Sequence, residues 1–205
     1  MNAQHSSATY EHGTPPEFVE LARRTLGTFY VDPASSPGWN RLVGAETIIT
    51  REQDGRRTPW FPGAPAPNRL LTDRSLPTEE YLARRQWNVF LNTPNTRDGA
   101  LAARFWVALA DYFERRWATS AIWVGFNVEQ LARLQRVGAR SHPLEHVTLV
   151  PAKRAGYRPS PASLAVDEEP PHASFVTLLT RSPSQIETFA AFGGELGFVI
   201  NGDRR

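Results

Sequence analysis

Apolar residues recur at steps of three and four between positions 97 and 117. Ala102, Trp106, Leu109, Phe113 and Trp117 form one stripe, and Leu101, Phe105, Ala108 and Tyr112 widen it. Arg97, Arg104, Asp111 and Arg115 fall on the opposite side. This period predicts a helix whose broad apolar face must be buried against a large surface. Thr96 is its expected N-cap, and Asp98 suits the positive end of the helix dipole. Shorter apolar runs lie on either side, Asn88 to Leu91 before it and Ala121 to Phe126 after it. A helix between two such runs is the pattern of a crossover on a sheet.

The chain before this stretch is more broken. Thr14-Pro15-Pro16-Glu17 opens a short helix with Phe18, Leu21, Ala22 and Leu26 on its apolar face, and Gly27 ends it. Residues 32 to 44 hold prolines and glycines and read as loop. Glu46 to Arg51 and Arg57 to Phe61 predict two strands joined by a hairpin at Asp54-Gly55, with Pro59 placing the second at an edge. Residues 62 to 77 read as loop, and a short helix starts at Thr78-Glu79-Glu80. Residues 1 to 13 are small and polar and are expected to be a disordered tail. The remainder, 14 to 205, is expected to form one globular domain, with a helix and hairpin region to 87 and an α/β core from 88.

The C-terminal part carries an internal correspondence. Asn127, Gln130, Leu131, Leu134, Val137 and Gly138 match Ser182, Gln185, Ile186, Phe189, Phe192 and Gly193 in type and spacing. A cap residue with Gln three positions later is the capping-box pattern. Apolar runs precede and follow each predicted helix, so residues 120 to 201 read strand, helix, strand, strand, helix, strand. The fold class expected is therefore α+β, a ferredoxin-like βαββαβ part preceded by the long buried helix. If Asn88 to Leu91 joins the same sheet, the alternative is a mixed open α/β sheet.

Composition narrows the function classes. The chain has no cysteine, which excludes disulfides, thiolate catalysis and cysteine-held metals. No run approaches the roughly 20 apolar residues of a membrane helix, and the first residues lack the pattern of a secretory signal. No membrane partner is expected, and a cytoplasmic location is the default. The formal net charge of +2 is close to neutral, so overall charge does not by itself argue for nucleic acid. The cations are almost all arginine, with Lys153 the only lysine.

Two segments carry candidate chemistry. His146-Val-Thr148-Leu149 and His172-Ala-Ser174-Phe175 each place a histidine and a hydroxyl two residues apart on an expected strand, hence on one face. The pair resembles the His-x-Thr/Ser motifs of the 2H phosphoesterases. That resemblance implies His146 and His172 as acid and base, with Thr148 and Ser174 as phosphate ligands, acting on RNA ends or cyclic nucleotides. Histidine suits either role because it titrates near neutrality. Between the motifs, residues 151 to 171 are rich in proline and carry Lys153, Arg154, Tyr157 and Arg158. Tyr and Arg are enriched at binding hot spots, so this segment is the expected docking surface for a protein or nucleic-acid partner. His142-Pro-Leu-Glu-His146 fits a zinc-peptidase spacing, but Pro143 denies it the helix that two ligands on one metal require. No metal or cofactor is expected. The leading expectation is a non-catalytic binding protein of a bacterium or its mobile elements, and the 2H-like phosphoesterase is the alternative.

Overall fold

In a computed structural model of the chain, the structure describes residues 13–93, 100–126, 146–153 and 174–202. Within these lie five α-helices and seven strands. In chain order they are α1 (Pro16–Leu26), β1 (Val31–Asp32), α2 (Pro37–Val43), β2 (Thr47–Ile48), α3 (Glu79–Arg84) and β3 (Asn88–Asn92). There follow α4 (Ala100–Glu114), β4 (Ser120–Phe126), β5 (His146–Pro151), β6 (Ser174–Leu179), α5 (Pro183–Leu196) and β7 (Gly197–Gly202).

All seven strands form one sheet in the order β2-β1-β3-β4-β6-β5-β7. The first four run parallel to one another. From β4 onward every neighbour is antiparallel. The architecture is thus a mixed, open α/β sheet. A ferredoxin-like sheet would return its last strand to the side of its first, so β7 would pair with β4. Here β3 occupies that edge of β4 through five register pairs, Asn88↔Ser120 to Asn92↔Val124. The last strand pairs instead with β5, from His146↔Gly202 to Pro151↔Gly197. Backbone groups at a strand edge can be satisfied by one neighbour only, and the crossover through α4 brings β3 to that edge.

Both faces are covered, and strand alternation sorts the side chains between them. On one face α4 packs Phe105, Trp106, Leu109, Tyr112 and Phe113 onto Val89, Leu91, Ala121, Trp123, Phe175 and Leu179. Trp106 and Trp123 meet with ring centroids 4.7 Å apart. Full burial of one such side chain is worth about 2–3 kcal/mol, so the stripe read from the sequence supplies much of this layer. On the other face α1 and α5 set Phe18, Leu21, Ala22 and Phe189 against Phe90, Ile122, Val124, Leu149, Val176 and Leu178.

The expected hairpin at Asp54-Gly55 is absent. Thr47–Ile48 pairs parallel to β1, and residues 57–61 form turns and bends. Trp60 and Phe61 are consecutive and both buried, which an alternating, half-exposed strand cannot provide. Both rings lie on Tyr112, at 5.1 and 5.2 Å. The expected loop over 32–44 contains α2, started by Ser36, whose Oγ accepts from the Trp39 amide, and ended by Gly44 at φ 71°. The N-cap expected at Thr96, the tail 1–12 and the first half of the correspondence, 127–138, lie outside the described residues.

The second half departs from the capping box. Ser182 makes no side-chain cap. Gln185 instead accepts from Ser120 Oγ at 2.7 Å and from Thr180 Oγ1, joining the start of α5 to β4 and to the end of β6. Nor does Gly193 stop the helix. It is buried in α5, where an added Cβ would sit 3.0 Å from Val199, so its role is close packing on β7.

Candidate functional site

The sheet order carries a functional consequence. From β1 the chain crosses by way of α2 to β2 on one side, and it later reaches β3 on the other. The residues of α2 pack with the α1 face, whereas the crossover from β3 to β4 uses α4 on the opposite face. Connections that leave neighbouring parallel strands in opposite directions open a crevice beyond their carboxyl ends, the usual ligand position in doubly wound sheets. Here that point lies between β1 and β3.

Asp32 is the last residue of β1. It follows the apolar run Phe29-Tyr-Val31, and Pro33 ends the strand behind it. Its backbone is fixed on the β2 side by the Ile49 amide donating to the Asp32 carbonyl at 3.0 Å. The Ser35 amide then donates to the Ile49 carbonyl at 3.1 Å and closes the turn.

The Asp32 residue is 3% exposed. The Ala34 amide donates to Oδ1 at 3.2 Å. Ser35 lies close enough to favour the ionised form, yet no bond of ordinary geometry joins them, and Ser35 Oγ is buried without a hydrogen-bond partner. No cationic side chain pairs with Asp32 among the described residues. Burial therefore outweighs both neighbours and pushes the carboxyl up to about 7. Burial thus disfavours its charged form until a ligand pairs with it. The carboxyl can accept hydrogen bonds from a ligand's hydroxyls, hold a cationic group, or exchange a proton.

The residues around this point are closely packed. Thr93, just past β3, is 3% exposed and receives the Trp123 indole N–H at 3.4 Å. Gly55 approaches the Pro33 carbonyl on one side and Phe105 on the other. Asp54, at φ 53°, turns the chain into this contact. The Trp60 indole N–H donates to the Gly55 carbonyl at 2.6 Å and holds it.

The residues expected from the sequence lie elsewhere. His146 and Thr148 are on β5 and Ser174 opens β6. Thr148 is opposite Thr177, and their hydroxyls are 3.0 Å apart and buried. Ser174 pairs with Phe126 of β4. In the antiparallel β5–β6 ladder, His146 lies toward the end at which Leu179 leaves, whereas Ser174 enters at the other end. Five residues of strand correspond to roughly 16 Å, so the pairing does not bring His146 and Ser174 together. His172 lies outside the described residues, as do Arg154, Tyr157 and Arg158, and His146 is the sole histidine among those described. Lys153 is exposed just beyond β5.

Among the described residues no three His, Asp or Glu side chains gather as a metal site, and no helix is long and apolar enough to cross a membrane. Comparison with protein-family models, characterised proteins and solved structures gives no match. Asp32 was not among the residues expected to matter. Its signal in the sequence is an acid that closes a short apolar run just before proline, between two helices. That signal acquires meaning only with the strand order.

Proposed function

We propose that this chain binds a nucleoside-type cofactor without phosphate, of the S-adenosylmethionine class, in the crevice at the carboxyl ends of β1 and β3. One observation carries the reading. A carboxyl group is buried at the strand-order reversal with no cationic partner, beside the Ser35 hydroxyl, which is buried without a hydrogen-bond partner. A buried carboxylate is costly until a ligand supplies the missing donors. The turn after β1, Asp32-Pro-Ala-Ser-Ser36, has no glycines and no cation, so it lacks the amide cradle and charge that hold pyrophosphate. A ligand offering a ribose diol and an ammonium group, and no phosphate, matches that chemistry. S-adenosylmethionine has this donor set, with Asp32 and Ser35 as the residues that would meet it. Its reaction class is transfer of the sulfonium methyl to a nucleophilic acceptor that loses a proton. The docking role expected from the sequence becomes the acceptor's side of the proposal, with nucleic acid as the partner.

The test is calorimetric titration with S-adenosylmethionine, S-adenosylhomocysteine, ATP and NAD. Binding of the first two and not the last two is expected, with at least a tenfold loss in Asp32→Ala. Preference for ATP or NAD, or an unchanged affinity in Asp32→Ala, would overturn the reading. The phosphoesterase alternative depends on His172, and no described contact favours it.

A further inference from the structure

The segment between β2 and α3 is far longer than a connection needs, and it builds a second concavity. A pocket of about 450 Å³ opens between Arg57, Pro59, Ala66, Asn68, Arg69 and Asp73. Its walls are fixed from several sides. The Asn68 amide donates to the Arg56 carbonyl at 3.1 Å and brings the two limbs together. Tyr112 Oη of α4 donates to the Pro65 carbonyl at 2.5 Å and pins the floor. Trp60 and Phe61, buried on Tyr112, hold the limb that carries Arg57.

The charges are distributed unequally over this frame. Asp54 grips Arg56 with both carboxylate oxygens, at 2.7 Å to Nε and 2.8 Å to Nη2, and so neutralises it. The next residue, Arg57, and Arg69 across the pocket make no side-chain hydrogen bond or ion pair among the described residues. Asp73 is the one acidic lining residue, and its carboxylate is engaged by the Ser75 amide at 2.9 Å and the Ser75 hydroxyl at 2.6 Å. Those bonds hold Asp73 ionised, and Arg69 and Arg115 lie near enough to favour its charge further, so the pocket sets two guanidinium groups against one carboxylate and keeps a net positive charge.

We propose that Arg57 and Arg69 hold a backbone phosphate of a nucleic-acid partner in this pocket. Guanidinium forks match phosphate oxygens and keep their charge at any working pH. The same segment touches the β1 turn through Gly55 and Pro33, which ties it to the turn that carries Asp32. The inference rests on the nucleic-acid partner of the preceding proposal, but not on the cofactor.

The experiment is fluorescence anisotropy of a labelled 20-base-pair DNA duplex with the full chain, repeated at several salt concentrations. The variants are Arg57→Ser, Arg69→Ser, the double variant, and Arg24→Ser with Arg84→Ser as a charge-matched control. Arg24 and Arg84 are exposed and paired within their own helices. The expected result is an affinity loss of about tenfold or more in the double variant. The slope of log affinity against log salt should fall by roughly 1, for the one phosphate no longer neutralised. The control pair should stay within twofold. Absence of duplex binding by the wild type, a double variant within twofold of it, or an equal loss in the control would each overturn the site. Inorganic phosphate competing at millimolar concentration as well as the duplex does would reduce the site to a free-phosphate pocket and also overturn it. Titration of the double variant with S-adenosylmethionine separates the two proposals: cofactor binding retained with duplex binding lost supports this site alone. Duplex binding that depends on the arginines, with no cofactor binding, supports it while the cofactor reading fails.

Discussion

Gly55 rests directly on the carbonyl oxygen of Pro33, so that a Cβ at position 55 would overlap it. This contact couples the long segment after β2 to the turn that presents Asp32. Side chains are excluded by proximity and not by backbone angle, since the left-handed residue of the turn is Asp54. Gly63 is the complementary case, with φ 73° and nothing within 4 Å of an added Cβ.

The two glycines should therefore respond differently to alanine. Gly55→Ala must displace Pro33 or the segment itself, and overpacking of this kind costs about 1–3 kcal/mol. It should also weaken ligand binding at Asp32. Gly63→Ala should cost about 1–2 kcal/mol from its backbone angle alone and leave ligand binding untouched. Urea denaturation and calorimetry of both variants check this. Equal effects on ligand affinity would remove the coupling.

Asp32 makes a prediction about pH. Its folded value of about 7 lies above the ordinary 3.8, so between those values the folded state holds a proton that the unfolded chain has released. Its contribution to stability is full below pH 3.8 and is lost as pH rises toward 7. The upper bound on that loss is about 4 kcal/mol. Asp32→Asn is neutral throughout, so it should stabilise the ligand-free protein at pH 8 relative to wild type, and the advantage should shrink toward pH 5. Thermal unfolding of both proteins across this range decides it. An advantage that grows as pH falls would mean that the native carboxylate is held ionised.

How much was legible in the sequence depends on element length and on where each side chain finds its partner. The stripe of α4 and the apolar runs of β3 to β7 were readable because a helical period marks the first and unbroken runs of three to six residues mark the others. The two-residue strand β1 carries no strand signal of its own, and β2 lies within the run Glu46 to Arg51 expected as a strand but pairs parallel with β1 and not in a hairpin. Together they add the strand-order reversal to a sheet from which β3 and β7 already exclude the split βαβ order. Asp54-Gly55 has a hairpin signature, but the burial of Trp60 and Phe61 on α4 overrides it. The site was hidden for the same reason. Asp32 is unremarkable as a letter and becomes significant only when β1 is placed between β2 and β3. The His-x-Thr pattern was conspicuous, but Thr148 is satisfied by Thr177, a residue the motif does not include.

That hydroxyl pair separates a structural role for Thr148 from a phosphate-binding one. Thr148→Val leaves Thr177 Oγ1 buried without its partner and should cost about 1–3 kcal/mol. Changing both to valine removes donor and acceptor together and should be nearly neutral relative to wild type. Denaturation of the two single variants and the double gives the coupling directly. A double variant as unstable as the sum of the singles would show that each hydroxyl serves something else.

The start of α5 offers a test of what its Ser-x-x-Gln pattern does. A capping box would have Ser182 bond to the amide three residues on, and its loss would cost about 1 kcal/mol. Ser182 Oγ instead meets Ser184 Oγ at 2.9 Å in exposed surroundings, so Ser182→Ala should change stability by less than about 0.5 kcal/mol. Gln185 carries the structural duty. Its carbonyl oxygen accepts from Ser120, which is 1% exposed, and from Thr180, which is 8% exposed. Gln185→Ala removes that acceptor, although the two hydroxyls remain 3.0 Å apart and can still bond each other. A loss of about 1–2 kcal/mol is expected. Gln185→Glu keeps an acceptor oxygen and should recover most of it at neutral pH, at which its carboxylate can take both hydroxyl protons. Urea denaturation of the three variants is the measurement. A Ser182→Ala cost equal to that of Gln185→Ala would restore the capping box and remove the tie between α5 and β4.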